Sequence, residues 1–103
     1  MAEVTFAFTP APELLLVNVT AMHAPRDPEA AAVELAEVAG GLSDLLGPPA
    51  REAGDRTAAR LGALPYSTFT LSYRFHDYFA DLTSTNLPGR GVMVYEHYMS
   101  MRD

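Results

Sequence analysis

Four stretches of this chain alternate apolar and polar residues, yet only one long amphipathic helix is written between them. That imbalance constrains the fold more than any motif, because a single helix cannot cover both faces of a sheet. The first stretch, Glu3 to Thr9, sets Val4, Phe6 and Phe8 against Thr5, Ala7 and Thr9, the period-two signature of a half-buried strand. Pro10-Ala11-Pro12 breaks it, since proline cannot donate to a ladder. The second, Glu13 to Met22, is apolar on both faces at its start and reads as an interior strand. The short proline-bearing link predicts an antiparallel hairpin between them. Tyr66 to Phe75 is the third strand, with Phe69, Leu71, Tyr73 and Phe75 opposed to Thr68, Thr70, Ser72 and Arg74. Gly91 to Met101 is the fourth, with Met93, Tyr95, His97, Met99 and Met101 on one face. Asn86-Leu87-Pro88-Gly89 precedes it as a type II turn, with Pro88 at i+1 and Gly89 at i+2.

The helix opens on the clearest local signal. Asp27 caps, Pro28 suits the first helical position, and Glu29 meets the positive end of the dipole. Leu35, Val38, Leu42, Leu45 and Leu46 form its apolar stripe, and Gly47-Pro48-Pro49 ends it. Gly40-Gly41 interrupts it at a cost of roughly 1 kcal/mol per glycine, either as a tolerated weak point or as a kink or close approach to the sheet. A short second helix is expected around Asp55–Leu61, with Asp55 as its cap. After Phe75 the alternation fails; Phe75 with Phe79, and Tyr78 with Leu82, are spaced for a helical turn.

These elements predict one α+β domain over residues 1–103. It is a four-stranded, largely antiparallel sheet with one main helix on one face (β-β-α-β-β), ferredoxin-like or like the dimeric α+β barrels. The uncovered face would carry Phe, Tyr, Met and Leu side chains, so a homodimer closing sheet against sheet is expected. Composition narrows the partners further. Seven Arg and no Lys stand against 13 acidic residues, a net charge of −6, which disfavours binding a phosphate backbone. There is no cysteine, hence no disulfide and no thiolate chemistry. No apolar run reaches the ~20 residues of a membrane span and no signal peptide is visible, so a cytoplasmic location without membrane or nucleic-acid partners is expected.

The chemistry-bearing residues gather late in the chain. His23, His76 and His97 lack local metal-ligand spacing, and no serine carries an activating motif, so no metal or other cofactor is expected. The segment Arg74-Phe75-His76-Asp77-Tyr78-Phe79-Ala80-Asp81-Leu82 puts a cation, an imidazole and a carboxylate among aromatic rings at a strand end. A histidine titrating near neutrality moves protons, and a carboxylate beside it orients it. Read plainly, the same segment is a charged strand terminus with packed aromatics. Tyr73, Tyr78, Tyr95 and His97 either line an aromatic pocket or pack at a dimer interface.

YRFHDYFADL resembles the Arg-Phe-His-Asp-aromatic-aromatic segment of the small aromatic polyketide cyclases of the tetracenomycin type. Asp55-Arg56-Thr57 and Leu61-Gly62 lie at similar distances upstream, and the strand followed by a proline-capped helix suits that family's opening. The resemblance implies a ferredoxin-like protomer in a dimeric α+β barrel, a pocket for a linear poly-β-ketone, and cofactor-free aldol cyclisation. It implies His76 as general acid/base, with Asp77 and Arg74 orienting it or meeting enolate charge. This chain departs from the family in its extra N-terminal strand and in lacking a helix after Leu82. Two functions follow as expectations. One is proton-transfer chemistry on, or simple binding of, an aromatic or hydrophobic small molecule in a homodimer. The other is a non-catalytic interaction subunit of a larger protein assembly.

Overall fold

A computed structural model describes residues 2–8 and 16–100 of the chain. Thr9, the Pro10-Ala11-Pro12 break, the start of the second run at Glu13 and Met101 lie outside the described residues. The elements are β1 (Ala2–Phe8), β2 (Leu16–His23), α1 (Pro28–Leu46), β3 (Arg51–Ala53), α2 (Ala58–Leu61), β4 (Thr68–Arg74), β5 (Tyr78–Leu87) and β6 (Gly91–Ser100). They build one six-stranded sheet in the order β1-β2-β6-β5-β4-β3, every neighbouring pair antiparallel. The α+β class stands, but the sheet has six strands where four were expected. The order β-β-α-β-α-β-β-β also differs from the β-α-β-β-α-β of ferredoxin-like folds.

Both extra strands have a physical explanation. Tyr78–Leu87 is a full strand, not a helical turn, and its ladder with β4 runs from Arg74–Phe79 to Thr68–Thr85. Its inward positions are Ala80, Leu82 and Ser84, two of them small, so alternation is faint in a hydropathy reading. β3 is only three residues long, below the length at which alternation is visible. The hairpin of β1 and β2 is present as expected, paired from Ala2–His23 to Phe8–Leu16 with a register shift at Ala7–Phe8. So is the type II turn: the Arg90 N–H donates to Leu87 C=O at 3.0 Å, and Gly89 takes φ of 76°.

Asp27 caps α1 by accepting from the Ala30 N–H at 2.8 Å. The buried stripe of α1 is Ala31, Leu35, Ala39 and Leu42, with Val38 and Leu46 partly buried. Leu45, expected in the stripe, is 82% exposed, and the two alanines let the helix sit close to the sheet. Gly40 and Gly41 meet no neighbour that a Cβ would touch, so they are tolerated weak points. At the short α2 the cap is Thr57, not Asp55; the Asp55 carboxylate instead accepts from the Thr57 N–H at 2.9 Å. That bond is the main reason the Asp55 carboxyl titrates below its usual range. Arg26 bridges Val92 through both backbone groups, so the chain entering α1 is laced to β6. Gly91 permits that approach, because a Cβ there would lie 2.5 Å from the Arg26 carbonyl oxygen.

One core results. α1 packs with Phe69, Leu71 and Tyr73 of β4, Ala80 and Leu82 of β5, and Val92 and Val94 of β6. Among the described residues, β1 and β2 contribute nothing to that cluster. Six strands span about 24 Å at ~4.8 Å per neighbour, and a helix covers about 10 Å of that. The helix therefore shields the β4–β6 half, and the β1–β2 half of the same face extends beyond it.

Candidate functional site

Register assigns most sheet residues to a face. The helix side carries Val4, Phe6, Val19, Ala21, Glu96, Tyr98, Ala80, Leu82, Leu71 and Tyr73. The open side carries Thr5, Thr20, His97, Asp81, Ser72 and Arg51 in one row across all six strands. Flanking rows add Glu3, Met22, Tyr95, Thr83, Thr70 and Ala53, and Ala7, Asn18, Met99, Phe79 and Arg74.

The open side is less apolar than expected. Met22, Met93, Met99, Tyr95 and Phe79 lie on it, but apart from Phe79 and Ala53 the rows across its β3–β5 half are polar, as an antiparallel sheet facing water allows. Of these apolar residues Met22 is the exposed one, at 40%, and the others are half-buried. The largest exposed apolar side chains of the sheet are on β1: Val4 at 46% and Phe6 at 56% on the helix side, and Phe8 at 56% past the register shift.

The predicted site residues divide among three places. His76 and Asp77 form the exposed tip of the β4–β5 hairpin, closed by the Phe75 N–H donating to Tyr78 C=O at 2.9 Å. Neither residue makes a side-chain hydrogen bond or ion pair among the described residues. Arg74, Tyr95 and His97 meet on the open side. The Arg74 guanidinium donates to Asp81 at 2.8 Å and lies 4.8 Å from the centre of the Phe79 ring. The Phe79 ring meets His97 edge-on at 5.4 Å, and His97 lies 6.2 Å from Tyr95. Tyr73 and Tyr78 are on the helix side, so the four proposed pocket residues do not share one cavity. Tyr78 stacks on Phe75 at 4.7 Å against the edge of the core.

Tyr73 is fully buried, and burial pushes its phenol above the usual tyrosine range. It lies at the floor of an open cleft of about 360 Å3 between α1 and the β3–β4 edge, with Gly40, Ser43, Glu52 and Arg56 on the walls. Its hydroxyl has no partner among the described residues.

A polar cluster that sequence reasoning missed joins the two halves of the sheet. The His23 Nε2–H donates to Glu96 at 2.6 Å, while Nδ1 faces Glu34 of α1 at 3.3 Å. Tyr98 donates its hydroxyl to the other Glu96 oxygen at 2.6 Å, and Arg26 lies 3.6 Å from Glu34. Burial first, then the Glu96 carboxylate, pushes the Tyr98 phenol well above its usual range. Only the pairing of β2 with β6 brings His23 and Glu96 together, 73 positions apart, so no local spacing could reveal them. Among the described residues no group of His, Asp and Glu is arranged to hold a metal ion.

Chemically, the open side can meet a flat or apolar surface through the Phe79, Tyr95 and His97 rings and orient it through the Arg74–Asp81 pair. The His23 cluster is a clamp between α1, β2 and β6. The chain matches no known protein family, no curated protein and no solved structure. Among the described residues no helix is long and apolar enough to cross a membrane.

Proposed function

We propose that this chain is a non-catalytic interaction subunit that works by associating through the sheet surface its own helix leaves bare. The observation that carries this reading is the exposure of Val4 and Phe6 on the helix side of β1, beyond the reach of α1, with Phe8 exposed past the register shift that follows. An apolar patch of this kind on a small chain marks a protein contact. Proton transfer by His76 would need that ring in a cavity, and its place at an exposed hairpin tip favours association instead. The acidic balance, a net charge of −6, favours protein over nucleic acid as the partner.

Light scattering and solubility measurements on the wild type and on Phe6→Asp test the reading. The wild type should form oligomers as concentration rises, and Phe6→Asp should shift it towards the monomer and raise its solubility. A wild type that stays monomeric to ~1 mM, with solubility unchanged by Phe6→Asp, would sink it; that limit lies far above the affinity of a specific interface.

A further inference from the structure

The flank of α1 that faces the β3 edge is built from small residues. Ala36, Gly40 and Ser43 fall at steps of four and three, so they share one stripe of the helix. β3 is only three residues long, and its Glu52 stands opposite Leu71, which puts Glu52 on the helix side. Small side chains on one wall and a short strand on the other leave the cleft of about 360 Å3, a volume in the range of small-molecule sites. A Cβ on Gly40 would meet nothing within 4 Å, so the space beside it is open.

We propose that this cleft binds a free α-amino acid with an apolar side chain, held as its zwitterion. Three observations carry that chemistry. First, Tyr73 at the floor is 1% exposed, and its hydroxyl has no partner among the described residues. A buried hydroxyl left without a hydrogen bond is costly, and a carboxylate entering the cleft would accept from it. Second, Arg56 and Glu52 border the cleft with opposite charges, and neither forms an ion pair among the described residues. Arg56 suits a carboxylate, and Glu52 suits an ammonium group. Third, the last turn of α1 carries no basic residue, so the negative pole of the helix beside Ser43 is uncompensated and adds to the pull on an ammonium group. Ala39 and Leu71, at the edge of the core, give the apolar side chain a surface to lie on.

Net charge selects a zwitterion over a simple anion. The chain carries −6, which repels a lone carboxylate but leaves a neutral zwitterion unopposed. A simple amine would leave Arg56 and the Tyr73 hydroxyl unanswered. The cleft lies at the β3 end of the sheet and β1 at the other, so this site and the associating surface proposed above are separate and fail separately.

Amide chemical-shift titration with three probes tests the proposal: L-phenylalanine, 3-phenylpropanoate, which lacks the ammonium group, and 2-phenylethylamine, which lacks the carboxylate. L-phenylalanine should saturate with a Kd of about 1 mM, in keeping with its size, and its shifts should centre on Gly40, Glu52, Arg56 and Tyr73. Each analogue loses one charge-assisted contact and should bind about ten-fold more weakly. Arg56→Gln should weaken L-phenylalanine by about the same factor. Tyr73→Phe should weaken it about five-fold without lowering the Tm, since it deletes only an unpartnered hydroxyl. Gly40→Leu should raise the Tm, because leucine is the better helix former, and abolish binding by filling the cleft. The proposal is overturned by the absence of saturable shifts up to ~20 mM L-phenylalanine, well above the expected Kd. Equal affinity for either analogue, binding indifferent to Arg56→Gln and Tyr73→Phe, or shifts centred on the open side of the sheet overturn it equally.

Discussion

The β4–β6 half and the β1–β2 half of the sheet share a face and the same alternation, and they differ in whether α1 lies over them. Under the helix, Phe69, Leu71, Leu82, Val92 and Val94 are 4% exposed or less; beyond it, Phe6 and Phe8 are each 56% exposed. A phenylalanine on the sheet is thus a core residue in one half and an exposed one in the other. Alternation sets which way a side chain points; coverage sets what it touches.

The comparison breaks most directly at its largest expected effect. Phe69→Ala should cost about 3–5 kcal/mol in urea unfolding, whereas Phe6→Ala should cost under about 1 kcal/mol when measured on dilute monomer. Equal costs would mean that the β1–β2 half has a core of its own. Next in size is His23→Ala, which leaves Glu34 and Glu96 without the ring between them. A loss of about 1–3 kcal/mol is expected, with amide-exchange protection falling first in β1 and β2, since the clamp ties them to α1. Protection lost uniformly would argue that the two halves open as one. Asp27→Ala should cost about 1 kcal/mol, a drop in Tm of roughly 4–8 °C. Because the cap belongs to α1, that loss should appear over β4–β6 rather than at β1.

The smallest effect is spectroscopic. Tyr73 and Tyr98 are held neutral by burial, so following absorbance at 295 nm they should ionise above the usual tyrosine range, and Tyr98→Phe should remove one late step. The sign follows from the raised folded values. Stability from the neutral phenols is fully present below about pH 10, the unfolded value, and is lost as pH rises through the higher folded ones. Since Tyr98 sits in the His23 clamp, alkaline loosening should begin at the junction between the halves.

Much of the local structure was legible. The Asp27-Pro28-Glu29 start, the Leu87–Arg90 turn and the faces of β1, β4 and β6 depend on neighbours in the chain, and the residues that make them lie within about four positions of one another. β5 is not legible because Ala80 and Ser84 are small where a buried strand would ordinarily show bulk, and the pairs Phe75 with Phe79 and Tyr78 with Leu82 imitate a helical spacing. The Arg74–Asp77 segment looks like a site in the sequence because its residues are consecutive. Strand geometry sends Arg74 to the open side and leaves His76 and Asp77 at the tip. Phe79 and Asp81 complete the Arg74 cluster from the next strand, and only the β4–β5 register brings them there.

The sequence by itself determined the α+β class, the single long helix, and the surplus of sheet over helix, since capping, turn chemistry and periodicity are properties of short segments. Which half of the sheet the helix covers was decided by tertiary structure. The Arg26–Val92 lacing and the long-range pairing of β2 with β6 place α1 over β4–β6 and leave β1 bare. A helix about 10 Å wide over a sheet about 24 Å wide must leave part of it uncovered, and packing alone chooses the part.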